Sequence, residues 1–236
     1  MSNKNAVITG ATHGIGKAIA AMLLEQGYHI LICARNAQEL EDVQREWAVR
    51  FPNQSVYVHT ADLADRAQLN RLAGVCVDTF GTVQVLVNNA GVFEPGQLAT
   101  EPEGQLKKMM DINLYAPYHL TRAMLPHMPR HVAAHIFNIC SVASLKAYPN
   151  GGAYSVTKYA LMGFSDNLRE ELKEEGIRVT ALFPGATDSR SWAGADVSPE
   201  RIMEARDVAI LVRAALELST KAVVEHMVLR PQLGDL

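Results

Sequence analysis

The stretch Asn5-Ala-Val-Ile-Thr9-Gly10-Ala-Thr12-His13-Gly14-Ile15-Gly16 decides the reading of this chain. It opens with a short apolar run suited to a buried strand, which stops abruptly at glycine. Apolar residues then recur at Ala18, Ile19, Met22 and Leu23, the spacing of one helix face, and Gly27 closes the pattern in the manner of a helix C-terminus. The result is strand, glycine turn, helix. Three glycines allow a tight turn and close approach of a ligand to the backbone, and the helix that follows would offer unpaired N–H groups to a pyrophosphate. Gly10, Thr12, His13, Gly14, Ile15 and Gly16 are therefore candidate dinucleotide contacts. The spacing, Gly-x-x-x-Gly-x-Gly, differs from the more familiar Gly-x-Gly-x-x-Gly fingerprint, and glycines that merely permit a strand-to-helix turn would give the same pattern.

The same alternation continues outward from this unit. Tyr28 to Cys33 reads as a second strand, and Ala34-Arg35-Asn36 leads into a charged helix ending near Arg50. Ser55 to His59, Val83 to Val87, Ala133 to Cys140, Gly176 to Leu182 and Ala222 to Leu229 read as further strands. Helices are expected from about Asp65 to Phe80, Glu101 to Met128, Ala153 to Glu175 and Pro199 to Ser219. The strands are largely apolar rather than alternating, as in a parallel sheet covered on both faces. The expected fold is a Rossmann-like, doubly wound α/β domain over residues 1–236, with ligands outside the carboxyl ends of its strands. Gly10 to Gly16, Asn88 to Gly91, Ser141 and Pro184-Gly185 all fall at such ends.

Composition sets outer bounds. The 236 residues are 48% hydrophobic and 20% charged, enough to bury a full core, and the net charge of -3 gives no global attraction to nucleic acid or to an anionic membrane surface. Cys33, Cys76 and Cys140 are odd in number and lie among apolar neighbours, which favours buried thiols in a reducing compartment over a disulfide framework. No signal-peptide pattern precedes the first strand and no apolar run approaches about 18 residues. A soluble, cytoplasmic protein is expected.

Two further readings concern chemistry. The second strand ends Cys33-Ala34-Arg35 and lacks the acidic residue that would bind a ribose 2′-hydroxyl. The fork of donors on Arg35, beside Asn36, is placed for a 2′-phosphate instead, and His13 could lend another donor, so NADP(H) is favoured over NAD(H). A solvent-exposed arginine at a helix start is the competing explanation. Tyr154 and Lys158 stand one helical turn apart, on one face of a helix. A fixed cation beside a phenol should lower a pKa that is ordinarily about 10 and make it a usable acid or base, although the same spacing also decorates many helix surfaces.

In order along the chain, Thr9-Gly10-x-x-x-Gly14-x-Gly16, Asp62-Leu63, Asn88-Asn89-Ala90-Gly91, Asn113, Ser141, Tyr154-x-x-x-Lys158 and Pro184-Gly185 together resemble the short-chain dehydrogenase/reductase family. The resemblance runs from Asn5 to about Leu229. It implies a seven-stranded parallel sheet in the order 3-2-1-4-5-6-7, a nicotinamide cofactor and a catalytic set of Asn113, Ser141, Tyr154 and Lys158, with Ser141 and Tyr154 thirteen positions apart (154 minus 141). It further implies that Ser141 positions a substrate oxygen, that Tyr154 exchanges the proton, and that Lys158 tunes Tyr154 and binds the nicotinamide ribose. Asn113 would distort its helix and hold a proton-relay water. Asp62 and Leu63 would meet the adenine, Asn89, Ala90 and Gly91 the adenosine ribose, and Pro184, Gly185 and the backbone of Thr187 the nicotinamide. Thr187 stands where a branched apolar residue is usual. Asn88 is expected to tie strands together rather than to touch ligand.

The activity implied is NADP(H)-dependent hydride transfer between the nicotinamide and a carbonyl or secondary alcohol. A 3-oxoacyl-thioester or pteridine-type reductase, and a non-catalytic dinucleotide-binding sensor, are the alternatives. The helices at Glu101 to Met128 and Ala153 to Glu175 are expected to form a homodimer or homotetramer interface. Thr187 to Arg206, with Trp192 as its large aromatic, is the expected substrate segment, giving an open site of broad tolerance. No metal is expected. His127, His131 and His135 are four apart, but Pro129 interrupts the helix and His135 begins a strand.

Overall fold

A computed structural model describes residues 4–131, 133–190 and 197–235. Its centre is a seven-stranded sheet in the order β3-β2-β1-β4-β5-β6-β7. The strands are β1 (Asn5–Thr9), β2 (His29–Ala34), β3 (Val56–Thr60), β4 (Val85–Asn88), β5 (Ala134–Ile139), β6 (Ile177–Pro184) and β7 (His226–Leu229), and all neighbours pair in parallel. Parallel pairing needs crossovers, and helices supply them. They are α1 (Gly14–Glu25), α2 (Ala37–Arg50), α3 (Arg66–Phe80), α4 (Gln105–Met110), α5 (Ala116–Met124), α6 (Gly152–Leu172) and α7 (Ala205–Glu217).

The near-continuous apolar strands are explained by the two cores. Ala6, Ile8, Ile30, Ile32, Val85 and Val87 face Ile19 and Leu23 of α1, Trp47 of α2 and Val212 of α7. Val7, Leu31, Leu86, Ile136 and Val179 face Leu72 of α3, Leu120 of α5 and Leu168 of α6. Alternate residues of each inner strand thus point to opposite faces, and both are dry. The edge strand β7 alternates between exposed and half-buried positions instead.

The expected elements are present, and their ends move by a few residues. The greatest departure is the segment expected as one helix from Glu101 to Met128. It begins at Gln105 as α4, widens into a π-helical turn over Asp111–Tyr115, resumes as α5 and ends in a 3-10 turn, Leu125–His127. Pro117 is tolerated because it lies at the start of α5, beside the π turn, where the regular ladder is already interrupted. The segment expected as a helix from Pro199 splits into a 3-10 turn, Pro199–Arg201, and α7.

Candidate active site

A groove of about 1200 Å³ crosses the carboxyl ends of β2, β1, β4, β5 and β6. Every residue singled out from the sequence for cofactor or catalysis lines it, except Asn113. The fold brings them together because most lie at or just after the end of a strand, the parallel sheet gathers those ends along one edge, and α6 brings Tyr154 and Lys158 to the same edge.

The glycine turn is built onto the end of β4. Asn89 Nδ2 donates to the carbonyls of Thr9 and Gly10, both at 2.9 Å, while the N–H groups of Asn89 and Ala90 donate to Thr9 Oγ1 at 3.0 Å. Gly10 has φ +66°, and a Cβ there would lie 2.9 Å from Ala90 Cα. Thr9 and the side chain of Asn89 therefore hold the turn, a role the motif spacing alone does not reveal.

Helix α1, which leaves this turn, starts without a side-chain cap, whereas α2 is capped by Asn36 and α3 by Asp65. Its first N–H groups consequently lack an intrahelical or side-chain acceptor and sit beside the groove at Gly14, Ile15 and Gly16. An anionic diphosphate is the group such a terminus fits. At the outer end Arg35 is exposed and lines the groove. The Asn36 side chain is already committed, accepting from Glu39 N–H at 3.3 Å and donating to Glu39 Oε1 at 3.0 Å. Asp62 caps Ala64 N–H while its own N–H donates to Gln68, so it is fixed in place beside Leu63 on the groove wall. At the other end Thr187 is buried and donates to the Gly185 carbonyl at 2.9 Å. This donor set fits a nicotinamide dinucleotide.

Ser141 lies two residues past the end of β5 and caps the 3-10 turn Val142–Ser144, its Oγ accepting from Ala143 N–H at 3.1 Å. Ser141 and Tyr154 line the same groove. Ser144 is turned inward and fully buried, accepting from Ser141 N–H. Tyr154 lies in the first turn of α6 with Phe93 edge-on against its ring, centroids 4.9 Å apart. One turn on, Lys158 is buried with its Nζ donating to the carbonyl of Ile139 at 2.8 Å.

The expectation that Lys158 lowers the Tyr154 pKa is not met in this state. Burial pushes the phenol up to about 12, partly opposed by the Ser141 hydroxyl, and the ammonium is pushed down to about 8, also by burial. The physical reason is geometric. Lys158 Nζ is 5.7 Å from the Tyr154 ring centre and held by a main-chain carbonyl, so desolvation outweighs attraction at both groups.

Asn113 sits in the middle of the π turn and is completely buried. Its Oδ1 accepts from Val92 N–H at 2.8 Å, and its Nδ2 donates to the Val92 carbonyl at 3.0 Å and to Thr157 Oγ1 at 2.9 Å. Asn113 thus clamps the loop following Gly91 to the helix that carries Tyr154 and Lys158. Asn88 ties elements together as expected, donating to Asn138 and Thr121.

Sequence reasoning missed Phe93, Tyr148, Lys146, Glu39 and Arg190, all of which line the groove. Phe93 follows Gly91 closely enough to have been suspected, whereas Arg190 and Glu39 meet only through the fold. Trp192 lies outside the described residues. Among the described residues no group of three or more His, Cys, Asp or Glu side chains could hold a metal. His135 is instead buried, with Nε2 2.7 Å from Thr180 Oγ1. All three cysteines are free and buried. No described helix is long and apolar enough to cross a membrane.

Sheet order, glycine turn and groove define a Rossmann-type dinucleotide-binding protein. The family model for short chain dehydrogenase matches residues 4–198, and the chain belongs to the short-chain dehydrogenase/reductase family of oxidoreductases. It is 36% identical over 187 residues to mouse (Mus musculus) dehydrogenase/reductase SDR family member 7B, covering 78% of this chain and 58% of that one. An uncharacterised oxidoreductase of Staphylococcus epidermidis is 29% identical over 98% of both chains. Among solved structures, an alcohol dehydrogenase from the archaeon Thermococcus sibiricus complexed with 5-hydroxy-NADP superposes with a TM-score of 0.91 at 28% identity, over 99% of this chain and 98% of that one. A metagenomic short-chain oxidoreductase in complex with NADP gives 0.83 at 30% identity, over 98% of each.

Proposed function

We propose that the protein is an NADPH-dependent reductase of carbonyl compounds, reversible as a dehydrogenase of the matching secondary alcohols. The observation that carries this reading is that Ser141, Tyr154 and, one helical turn from Tyr154, a buried Lys158 converge on one groove suited to a dinucleotide. When bound, the reduced nicotinamide supplies hydride. Ser141 hydrogen-bonds the substrate oxygen, and Tyr154, kept protonated by burial, donates the proton to it as charge develops there. Lys158 holds a positive charge behind Tyr154 and has donors left for ribose hydroxyls, since its bond to Ile139 uses one of three. Asn113 keeps these groups in register.

The preference for NADP(H) rests on Arg35 and on the absence of an acidic residue at the end of β2, and the NADP ligands of similar structures agree with it. Exposed Leu106, Tyr115, Val156 and Tyr159 on α4, the π turn and α6 support assembly into a homo-oligomer through these helices. Buried free thiols are in keeping with a cytoplasmic setting.

The test is NADPH oxidation across a panel of aldehydes and ketones by the native protein and Tyr154→Phe, repeated with NADH. Turnover by the native protein that Tyr154→Phe loses by at least about a hundredfold is expected. Equal rates would remove Tyr154 as proton donor, and no turnover with intact NADPH binding would favour a sensor.

A further inference from the structure

The outer end of the groove holds an ion network that the reaction does not require. Arg190, which follows β6, reaches across to α2 and the glycine turn. Its Nη2 lies 2.6 Å from Glu39 Oε1 and 2.8 Å from His13 Nε2. His13 Nδ1 is in turn 3.0 Å from Thr12 Oγ1 and 3.4 Å from Glu39 Oε2. The backbone leading to Arg190 packs over the turn, since a Cβ on Gly14 would lie 3.2 Å from both the Asp188 carbonyl oxygen and Ser189 Cβ.

The charges at this end have a definite balance. Arg190 holds the Glu39 carboxyl below the usual carboxylate range, while burial and the neighbouring Arg190 lower the pKa of His13, which is therefore neutral near pH 7. Among the described residues, Arg35 and Arg190 are permanent cations lining the groove, and Glu39 and Asp62 are anions lining it. A phosphate arriving beside Arg35 is repelled by Glu39 unless a cation answers it. Arg190 is that cation, because its side chain is 62% exposed, whereas the Glu39 side chain is only 21% exposed and is held by Asn36.

We propose that Arg190 is a specificity-determining residue: it exchanges Glu39 for the 2′-phosphate of NADP(H), forming with Arg35 a two-arginine clamp that separates NADP(H) from NAD(H). The proposal rests on the NADP(H) reading above and adds a residue to it from the opposite wall of the groove. Two guanidinium forks on one dianion explain why a carboxylate can stand this close to the phosphate subsite. Glu39 acts as the placeholder that keeps Arg190 aimed at the site when no phosphate is there.

The experiment measures Kd by calorimetry for adenosine 2′,5′-bisphosphate, adenosine 5′-monophosphate, NADPH and NADH, with the full chain and with Arg190→Met and Glu39→Gln. Arg190→Met should weaken the bisphosphate and NADPH about tenfold, the loss of one charge-assisted contact. It should leave the monophosphate and NADH within about twofold, because those ligands lack the group read. Glu39→Gln should tighten the bisphosphate, since it removes the repelling charge. Equal weakening of all four ligands in Arg190→Met, or no change in any, would overturn the proposal. Native protein that binds NADH as tightly as NADPH would instead refute the coenzyme preference itself, before any variant is made.

Discussion

Lys158 donates a 2.8 Å hydrogen bond from Nζ to the main-chain carbonyl of Ile139, which joins the first turns of α6 to the last residue of β5. This bond holds a cation in a place where water cannot solvate it, and burial lowers its pKa to about 8. The charge is present below that value and lost above it, while Tyr154, pushed up to about 12, stays protonated across the same range. For carbonyl reduction, kcat/KM in the free enzyme should therefore be level up to about pH 8 and fall as the pH rises further, in a limb that reports Lys158. A pH profile measured with a good carbonyl substrate checks this, and a level profile to pH 10 would contradict it.

The same burial has a cost in stability. Moving the lysine pKa from 10.5 to about 8 corresponds to roughly 3 kcal/mol at pH 7, against about 1–2 kcal/mol for the hydrogen bond and the carbonyl left unpaired without it. Lys158→Met should thus abolish turnover while raising Tm by roughly 3–6 °C at pH 7. Between pH 8 and 10.5 the unfolded native chain binds a proton that the folded chain has lost, so native stability rises with pH through that window. The gap between variant and native protein should accordingly narrow at pH 9.5. Melting curves at the two pH values decide it, and a variant less stable than native at pH 7 would show that the hydrogen bond outweighs desolvation.

Much of this site can be read before the fold is known, and the division is physical. The sheet is legible because its strands are buried on both faces, so Ala6 to Ile8, Ile30 to Cys33 and Val85 to Val87 announce themselves as apolar runs. The glycine turn, Ser141, Tyr154 and Lys158 are legible because each follows such a run or shares a helix face. The π turn at Asn113 is not, since its cause is tertiary: Val92 and Thr157 supply partners that no local pattern contains. The Arg190–Glu39 contact is hidden for the same reason, joining residues 151 positions apart. The Tyr154 pKa was misjudged because spacing reports that a cation is near but not that both groups are dry.

Asn113 is expected to be as important for stability as for chemistry. Asn113→Ala removes three hydrogen bonds, one of them fully buried, and leaves both polar groups of half-buried Val92 without their partner. A loss of roughly 3 kcal/mol follows, which for a chain of this size lowers Tm by about 6–12 °C. Asn113→Asp keeps the acceptor for Val92 N–H but loses both donors, and should fall by a similar amount. Thermal melts measure the effect; a change of Tm under about 2 °C in Asn113→Ala would mean that the π turn is held by something else.

Gly16 tests how the cofactor groove is built. It has no positive φ, so its glycine is explained by space alone: a Cβ there would lie 2.4 Å from the Gly10 carbonyl oxygen and 2.4 Å from Asn89 Nδ2. The Asn89 amide cannot swing away without releasing the carbonyls of Thr9 and Gly10. The backbone of the turn must therefore shift, and with it the uncapped N–H groups at the start of α1. Gly16→Ala should weaken NADPH and NADH alike, by at least about tenfold, because the disturbed contacts serve the shared diphosphate and not the 2′-phosphate. Gly27→Ala is the control. Gly27 has φ +82° at the end of α1 but nothing within 4 Å of the added Cβ, so it should cost about 1 kcal/mol of stability and leave both affinities intact. Fluorescence titration with both cofactors separates the two variants, and unchanged NADPH affinity in Gly16→Ala would mean that the turn does not touch the diphosphate.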